Sequence, residues 1–290
     1  MNGKLMKLLT PSIDKRNWKR FLLLECGIQQ KSNLVTSLSK FIILSIIMIS
    51  ASNFNSTIIA GETGFLDRVY KNSEGKEFKY IVFVPHDYKG DKEYPVILFL
   101  HGAGESGSDG KRQAKVGLGP AIRKQEKTFP FIAIFPQASD MKTPIPRRWL
   151  AESPDGKNAL AILAEIEKTY KVNKKQIYLS GLSMGGFGTW SIASAHPKLW
   201  AAIVPICGGG DVKNAEKLKN IPIWCFHGGA DPVVPAKLSQ SMIDAIKKAG
   251  GQPKYTEFSG VGHNSWDAAY ATKELFTWLL EQKLADEKAK

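Results

Sequence analysis

Among the stretches of this chain without a polar side chain, four read as buried strands: residues 96–100 (VILFL), 131–135 (FIAIF), 201–206 (AAIVPI) and 221–226 (IPIWCF). Each has the length of a strand. A strand that is apolar at every position turns apolar groups to both faces, and both must be covered. That excludes a sheet with one wet face and leaves a sheet clad in helices. The intervening segments supply those helices. Ile162, Leu163, Ile166 and Tyr170 share one helical face, and Leu238, Met242 and Ile246 recur every fourth residue before Gly250-Gly251 ends the pattern. Residues 65–70 and 78–84 read as two strands joined by a turn at 72–75, and residues 176–180 as a strand leading into a glycine turn. A last strand at 254–258 precedes a helix carrying Ala271, Leu275, Trp278 and Leu279. The pattern predicts an α/β protein, a mostly parallel doubly wound sheet opened by an N-terminal antiparallel hairpin. No internal repeat or linker interrupts it, so residues 61–283 are expected to form one catalytic domain, followed by a charged tail at 284–290.

Charge narrows the partners. The net charge of +13 is concentrated unevenly: residues 1–60 hold eight basic side chains against two acidic, and the other 230 residues hold 32 against 25. The latter are scattered singly and not interleaved with aromatics, so a nucleic-acid partner is not expected. Three cysteines (Cys26, Cys207 and Cys225) without a CxxC pair suggest neither a disulfide framework nor a metal site. Cys207 and Cys225 sit on or beside apolar strands, where an inert thiol is the expectation.

Residues 41–50 (FIILSIIMIS) come after Lys40 and Lys31 and precede small and polar residues. An apolar core of this length with a basic flank reads as a secretory signal and is too short to span a bilayer. The segment at 50–52 (SAS) and Ala60 are the candidate cleavage positions. Forty residues before the core is long for a signal, and a start near Leu34 or Val35 would restore ordinary proportions. The first sixty residues are therefore expected to be an extension with a signal peptide, and the mature protein to be periplasmic or secreted.

The chemistry-bearing segment is Gly181-Leu182-Ser183-Met184-Gly185, a G-x-S-x-G string placed between a strand and a helical stretch with Phe187, Trp190 and Ile192. That context suits a serine on a strained strand-to-helix turn, where neighbouring side chains would clash. Five histidines compete to be its base. His86 precedes the core strands, His196 stands at a helix end before Pro197, and His101 and His227 each end a strand and would brace loops. His263, in the loop GVGHNS between the last strand and last helix, would lie on the sheet edge that bears the serine and is the expected base. The orienting acid is expected at Asp231, in HGGADPVVP after an apolar strand, with Asp211 as the alternative from the preceding strand. Ser183, Asp231 and His263 would form the triad.

Oxyanion donors are expected from the Met184 N–H and, in the glycine-rich loop HGAGESG after residue 100, from the Ala103 N–H, with Gly104 as the alternative. This loop is also a formal G-x-G-x-x-G. The residues after it, SDGKRQ at 108–113, have no apolar helical period, and no acid ends the next strand, so a dinucleotide site is not expected. No cofactor and no metal are implied. Trp149 and Trp266 are candidates for aromatic substrate walls, with ordinary packing at loop bases the other reading.

With these motifs in place, residues 61–280 resemble the α/β-hydrolase superfamily. FLHGAGESG, IFPQ, GLSMGGFGTW, FHGGADPVVP and GVGHNSWD resemble the bacterial predicted-peptidase and phospholipase/carboxylesterase group, related to feruloyl esterases and polyhydroxybutyrate depolymerases. The resemblance implies a serine carboxylesterase with Ser183, Asp231 and His263 as triad, acting on a small-molecule or polysaccharide-linked ester. Two alternatives stand beside it: a serine peptidase of prolyl-oligopeptidase type, whose propeller this chain lacks, and a non-catalytic hydrolase-fold binding module. The acyl group stays open between short aliphatic, hydroxycinnamoyl and acetyl.

Overall fold

The structure is a computed structural model in which residues 61–285 are described. The signal expected at 41–50, its cleavage positions and Cys26 lie outside the described residues, as does most of the charged tail. The elements in chain order are β1 (Gly64–Lys71), β2 (Glu77–Val84), β3 (Tyr94–Leu100), α1 (Leu118–Arg123), β4 (Ile132–Pro136), α2 (Pro154–Thr169), β5 (Val172–Leu182) and α3 (Met184–Ala195). They continue with β6 (Ala202–Ile206), α4 (Ala215–Leu218), β7 (Trp224–Gly228), α5 (Lys237–Lys248), β8 (Lys254–Phe258), α6 (Trp266–Tyr270) and α7 (Leu275–Glu281).

The eight strands form one sheet in the order β1-β2-β4-β3-β5-β6-β7-β8. The β1–β2 and β2–β4 pairs are antiparallel and the pairs from β4–β3 to β7–β8 are parallel. The apolar runs at 96–100, 131–135 and 201–206 are buried on both sides of the sheet, as strands without a polar face must be; of the run at 221–226 only residues 224–226 join β7, where Trp224 is half-buried. In β3, Val96, Leu98 and Leu100 enter one core with α2, α3 and α5, while Ile97 and Phe99 enter a second with α1, α6 and α7. Each such side chain contributes about 1.5–3 kcal/mol on burial. At α2, Ser153 accepts the Gly156 N–H at 3.0 Å and Pro154 fills the first turn, so the helix starts where its first N–H groups find a partner.

The helix expected to carry both Ala271 and Leu275 is two helices. Tyr270 ends α6 and reaches Ser180 Oγ at 2.7 Å inside the core, whereas α7 lays Leu275, Trp278 and Leu279 on the sheet. In one straight helix positions 270 and 275 would diverge by about 140°, so the chain breaks between them.

Strand order reverses between β3 and β5, because β4 lies on one side of β3 and β5 to β8 lie on the other. The loops leaving the carboxyl ends of β3 and β5 therefore diverge and open a crevice. The glycine-rich loop leaves β3 there and Ser183 leaves β5 there.

Candidate active site

Ser183 sits at φ 52° and ψ −115°, a conformation that L side chains rarely adopt. Its neighbours explain how the turn closes. A Cβ on Gly185 would lie 1.9 Å from the Leu100 carbonyl oxygen, one on Gly181 2.3 Å from the Gly185 oxygen, and one on Gly186 2.4 Å from the Ile206 oxygen. Only backbone fits at these three positions, and the Ser183 N–H is fixed on the Ile206 carbonyl at 3.0 Å. Gly185→Ala should therefore lower stability by about 3 kcal/mol or more, read from a denaturant unfolding midpoint. Gly104→Ala, with nothing within 4 Å of the added carbon, should stay within about 0.5 kcal/mol of wild type.

The turn points Ser183 Oγ at His263 Nε2, 2.9 Å away, and His263 Nδ1 lies 2.7 Å from Asp231 Oδ2. The other Asp231 oxygen accepts the N–H groups of Val233 (2.8 Å) and Val234 (2.9 Å). Burial pushes the Asp231 carboxyl up, but the His263 hydrogen bond and the Val234 and Val233 N–H groups outweigh it and hold it below the ordinary carboxylate range. Asp231 is thus an anion facing Nδ1, which places the Nδ1 hydrogen towards the acid and leaves Nε2 free to accept from the serine. Asp211, the alternative acid, instead caps the Lys213 N–H at 3.0 Å on an exposed turn.

Met184 is the first residue of α3 and Ala103 the first of a short 3-10 helix, Ala103–Glu105, so neither N–H has an intrahelical acceptor. Both residues line the cleft that Ser183 and His263 line. The loop carrying Ala103 is stitched to the loop after β4. Gln137 Nε2 donates to the Glu105 carbonyl at 2.9 Å, the Gly110 N–H donates to Gln137 Oε1 at 2.7 Å, and the Gly107 N–H donates to the Ala138 carbonyl at 2.9 Å. His101 completes the stitching. The Ala138 N–H donates to its Nε2 at 2.9 Å, so the ring hydrogen is on Nδ1, facing the Gly102 carbonyl at 2.6 Å. Burial pushes this imidazole down to about 4, which keeps it neutral and its role structural.

Trp149 does not form a cleft wall. It is fully buried, its indole N–H donates to the His101 carbonyl at 3.0 Å, and it packs so closely on α3 that a Cβ at Gly188 would meet it at 2.3 Å. Its place under the loop that carries Ala103 satisfies the indole N–H in the interior. Trp266 does line the cleft, edge-on to His263 with ring centroids 5.5 Å apart.

A match to the dienelactone hydrolase family runs over residues 77–274. The chain belongs to the dienelactone hydrolase family. Among the curated relatives of this family member, an endo-1,4-beta-xylanase/feruloyl esterase of Xylanibacter ruminicola is 27% identical over 67% of the chain and 28% of the relative. Acyl-protein thioesterase 1 of Neurospora crassa is 26% identical over 58% of the chain and 80% of its own length. Among solved structures, a thermostable esterase superposes with a TM-score of 0.68 at 34% identity, covering 76% of the chain and 63% of that structure. This dienelactone hydrolase family member therefore spans little more than a quarter of the xylanase/feruloyl esterase it matches.

Apart from Trp266, the walls of the cleft are not legible in the sequence. The cavity, about 590 Å³, is closed by Val116, Ile145, Phe187, Val233 and Leu238 besides Trp266. Leu238 shares its i+4 spacing with Met242 and Ile246, yet it is 42% exposed at the cleft while they are buried. Periodicity marks a face and cannot say whether protein or substrate covers it. Glu105 also lines the cleft, and burial pushes its carboxyl up against the pull of the Gly102 N–H and its own. Cys207 and Cys225 are buried, and burial pushes both thiols up to about 12, so neither offers a thiolate near neutral pH.

Proposed function

We propose that this protein is a serine esterase acting through an acyl-enzyme. The observation that carries the reading is the unbroken line Asp231 Oδ2, His263 Nδ1, His263 Nε2, Ser183 Oγ, with contacts of 2.7 and 2.9 Å, beside two N–H groups without helical acceptors. Ser183 Oγ attacks the ester carbonyl carbon while its proton passes to His263 Nε2. Charge develops on the carbonyl oxygen, where the Met184 and Ala103 N–H groups stabilise it. Each such donor typically lowers the barrier by about 2.7–4 kcal/mol. Collapse expels the alcohol, which takes the proton from His263, and a water activated by the same imidazole releases the acid. Asp231 keeps the imidazole in the required tautomer and balances its charge when protonated.

The cleft supports an ester with an apolar acyl or aryl group. Of six large apolar side chains exposed among the described residues, Ile145 (53%), Val233 (65%) and Leu238 (42%) all line it. Such a concentration marks a binding surface more than a solvated one. Besides the Trp266 indole, only Glu105, Ser183 and His263 bring polar side chains to its walls, too few to grip an extended peptide backbone. An alkoxide or phenolate also leaves more readily than an amine. The expected order of kcat/KM is therefore methyl ferulate and medium-chain p-nitrophenyl esters first, p-nitrophenyl acetate and acetylated xylan next, and peptide p-nitroanilides last. Anilide cleavage matching the esters would promote the peptidase reading. A wild-type chain that a fluorophosphonate probe failed to label would promote the non-catalytic binding module.

The apolar core at 41–50 and its basic flank support export of this esterase, so that it meets ester substrates outside the cytoplasm. Among the described residues no helix is long and apolar enough to cross a membrane. Cell fractionation that recovered a chain retaining residues 1–60 in the cytosol would overturn export.

A further inference from the structure

Behind Asp231 lies a second imidazole. His227 is the penultimate residue of β7, with its side chain wholly buried, and its Nε2 lies 2.9 Å from the Val234 carbonyl oxygen and 3.3 Å from Asp231 Oδ2, the oxygen that also faces His263 Nδ1. Both of these neighbours are acceptors only, so Nε2 carries a hydrogen, which it donates to the Val234 carbonyl while facing Asp231 Oδ2 across the longer contact. On the other side of the ring, Nδ1 lies 2.7 Å from Ser239 Oγ, which lies 3.0 Å from the Gly208 carbonyl and has one hydroxyl hydrogen for the two. The ring is therefore held at both nitrogens. It joins three segments: the loop bearing the acid, the start of α5 through Ser239, and the Cys207–Gly208 turn that packs against Gly186 beside Ser183.

We propose that His227 is a positioning residue for the reaction, aiming Asp231 at His263 by donating from Nε2 across the acid loop. This rests on the esterase reading and places a fourth side chain behind its hydrogen-bonded line, in electrostatic contact with Asp231 Oδ2. Without that donor Asp231 retains the Val233 and Val234 N–H groups on Oδ1, but Oδ2 keeps a single partner and the loop loses its tie to the Val234 carbonyl. The carboxylate can then rotate away from Nδ1, and the tautomer that Ser183 needs is no longer imposed. His227 itself does not line the cleft, so substrate binding should change far less than turnover.

The test uses the whole chain and p-nitrophenyl acetate, with the Ser183→Ala protein as the background rate. His227→Phe keeps the ring volume and removes the donor. It should lower kcat by about 10- to 100-fold, the worth of one buried N–H that ties the acid loop and faces the carboxylate, with KM within about twofold. In an Asp231→Ala background the same change should cost less than about threefold, because its target is gone. The amide pair separates the two ring nitrogens. His227→Gln places an N–H near the Nε2 position and should retain kcat within about threefold, whereas His227→Asn reaches only the Nδ1 position and should fall with His227→Phe. If His227→Phe does not fold, as circular dichroism would show, the comparison of the Gln and Asn variants decides alone. Equal rates for Gln and Asn, an unchanged kcat in folded His227→Phe, or an equal loss with and without Asp231 would each overturn the proposal. Failure of the esterase reading looks different, because the wild-type chain would then either not react with a fluorophosphonate or cleave peptide p-nitroanilides as fast as the esters.

Discussion

Ser183→Ala is expected to lower kcat for any accepted ester by about 10^6-fold and to leave the fold intact. The size is that expected for loss of the proposed nucleophile itself. Without Oγ there is no atom to form the acyl-enzyme, and His263 can only activate water over a distance the serine formerly spanned. The residual rate comes from the oxyanion donors and from binding. Stability should change by less than about 0.5 kcal/mol. Alanine accepts the φ of 52° no worse than serine, and His263 Nε2, left without its partner, stands in a side chain that is 20% exposed and can be solvated. Steady-state kinetics on a purified variant with a wild-type unfolding midpoint would check both halves. A folded Ser183→Ala protein with most of its esterase activity would show that another group is the nucleophile.

Asp231→Asn should cost about 10^4-fold in kcat with little change in KM. The variant keeps the volume of the side chain and both backbone contacts from Val233 and Val234 through its carbonyl oxygen. To His263 Nδ1 it presents an amide N–H, which needs an acceptor. Nδ1 must then be unprotonated, the ring hydrogen moves to Nε2, and Ser183 faces a donor where it needs a base. The wild-type carboxyl also leaves a signature in stability. It is held below the ordinary carboxylate range, so its contribution is complete above about pH 4 and is lost as pH falls through its depressed folded value. The stability gap between wild type and Asp231→Asn should accordingly be present near neutrality and shrink in acid, as denaturant titrations at several pH values would show. Wild-type kinetics for Asp231→Asn would remove this residue from the line.

Some of this protein is determined by its sequence alone because the controlling physics is local or combinatorial. The runs at 96–100, 131–135 and 201–206 are apolar at every position, and such a strand has no stable place except inside a sheet covered on both faces. The turn at Gly181–Gly186 is marked as plainly by its string of glycines around a serine at positive φ. The Gly181 contact with the Gly185 carbonyl is local, whereas the Leu100 and Ile206 carbonyls that exclude a Cβ at Gly185 and Gly186 arrive only with the neighbouring strands. Other features depend on which surfaces meet, and no spacing encodes them. Asp231 and Asp211 both come after strand ends, and only the packing of the β7 and β8 loops, tied through the Ala230 N–H to the Val261 carbonyl at 3.0 Å, sets Asp231 against His263. Trp149 and Trp266 stand equally near loops in the sequence, yet one is consumed by the interior and the other faces the cleft. Ile145, Val233 and Leu238 are ordinary apolar residues until separate loops and a helix bring them to one rim. His227 reads as a loop brace, and its nearness to Asp231 Oδ2 arises because the loop from Gly228 to Val234 folds back over the strand end that carries it. Long-range juxtaposition is set by burial and by hydrogen bonds that close only in the assembled sheet, so the walls of the cleft and the support behind the acid belong to the tertiary structure.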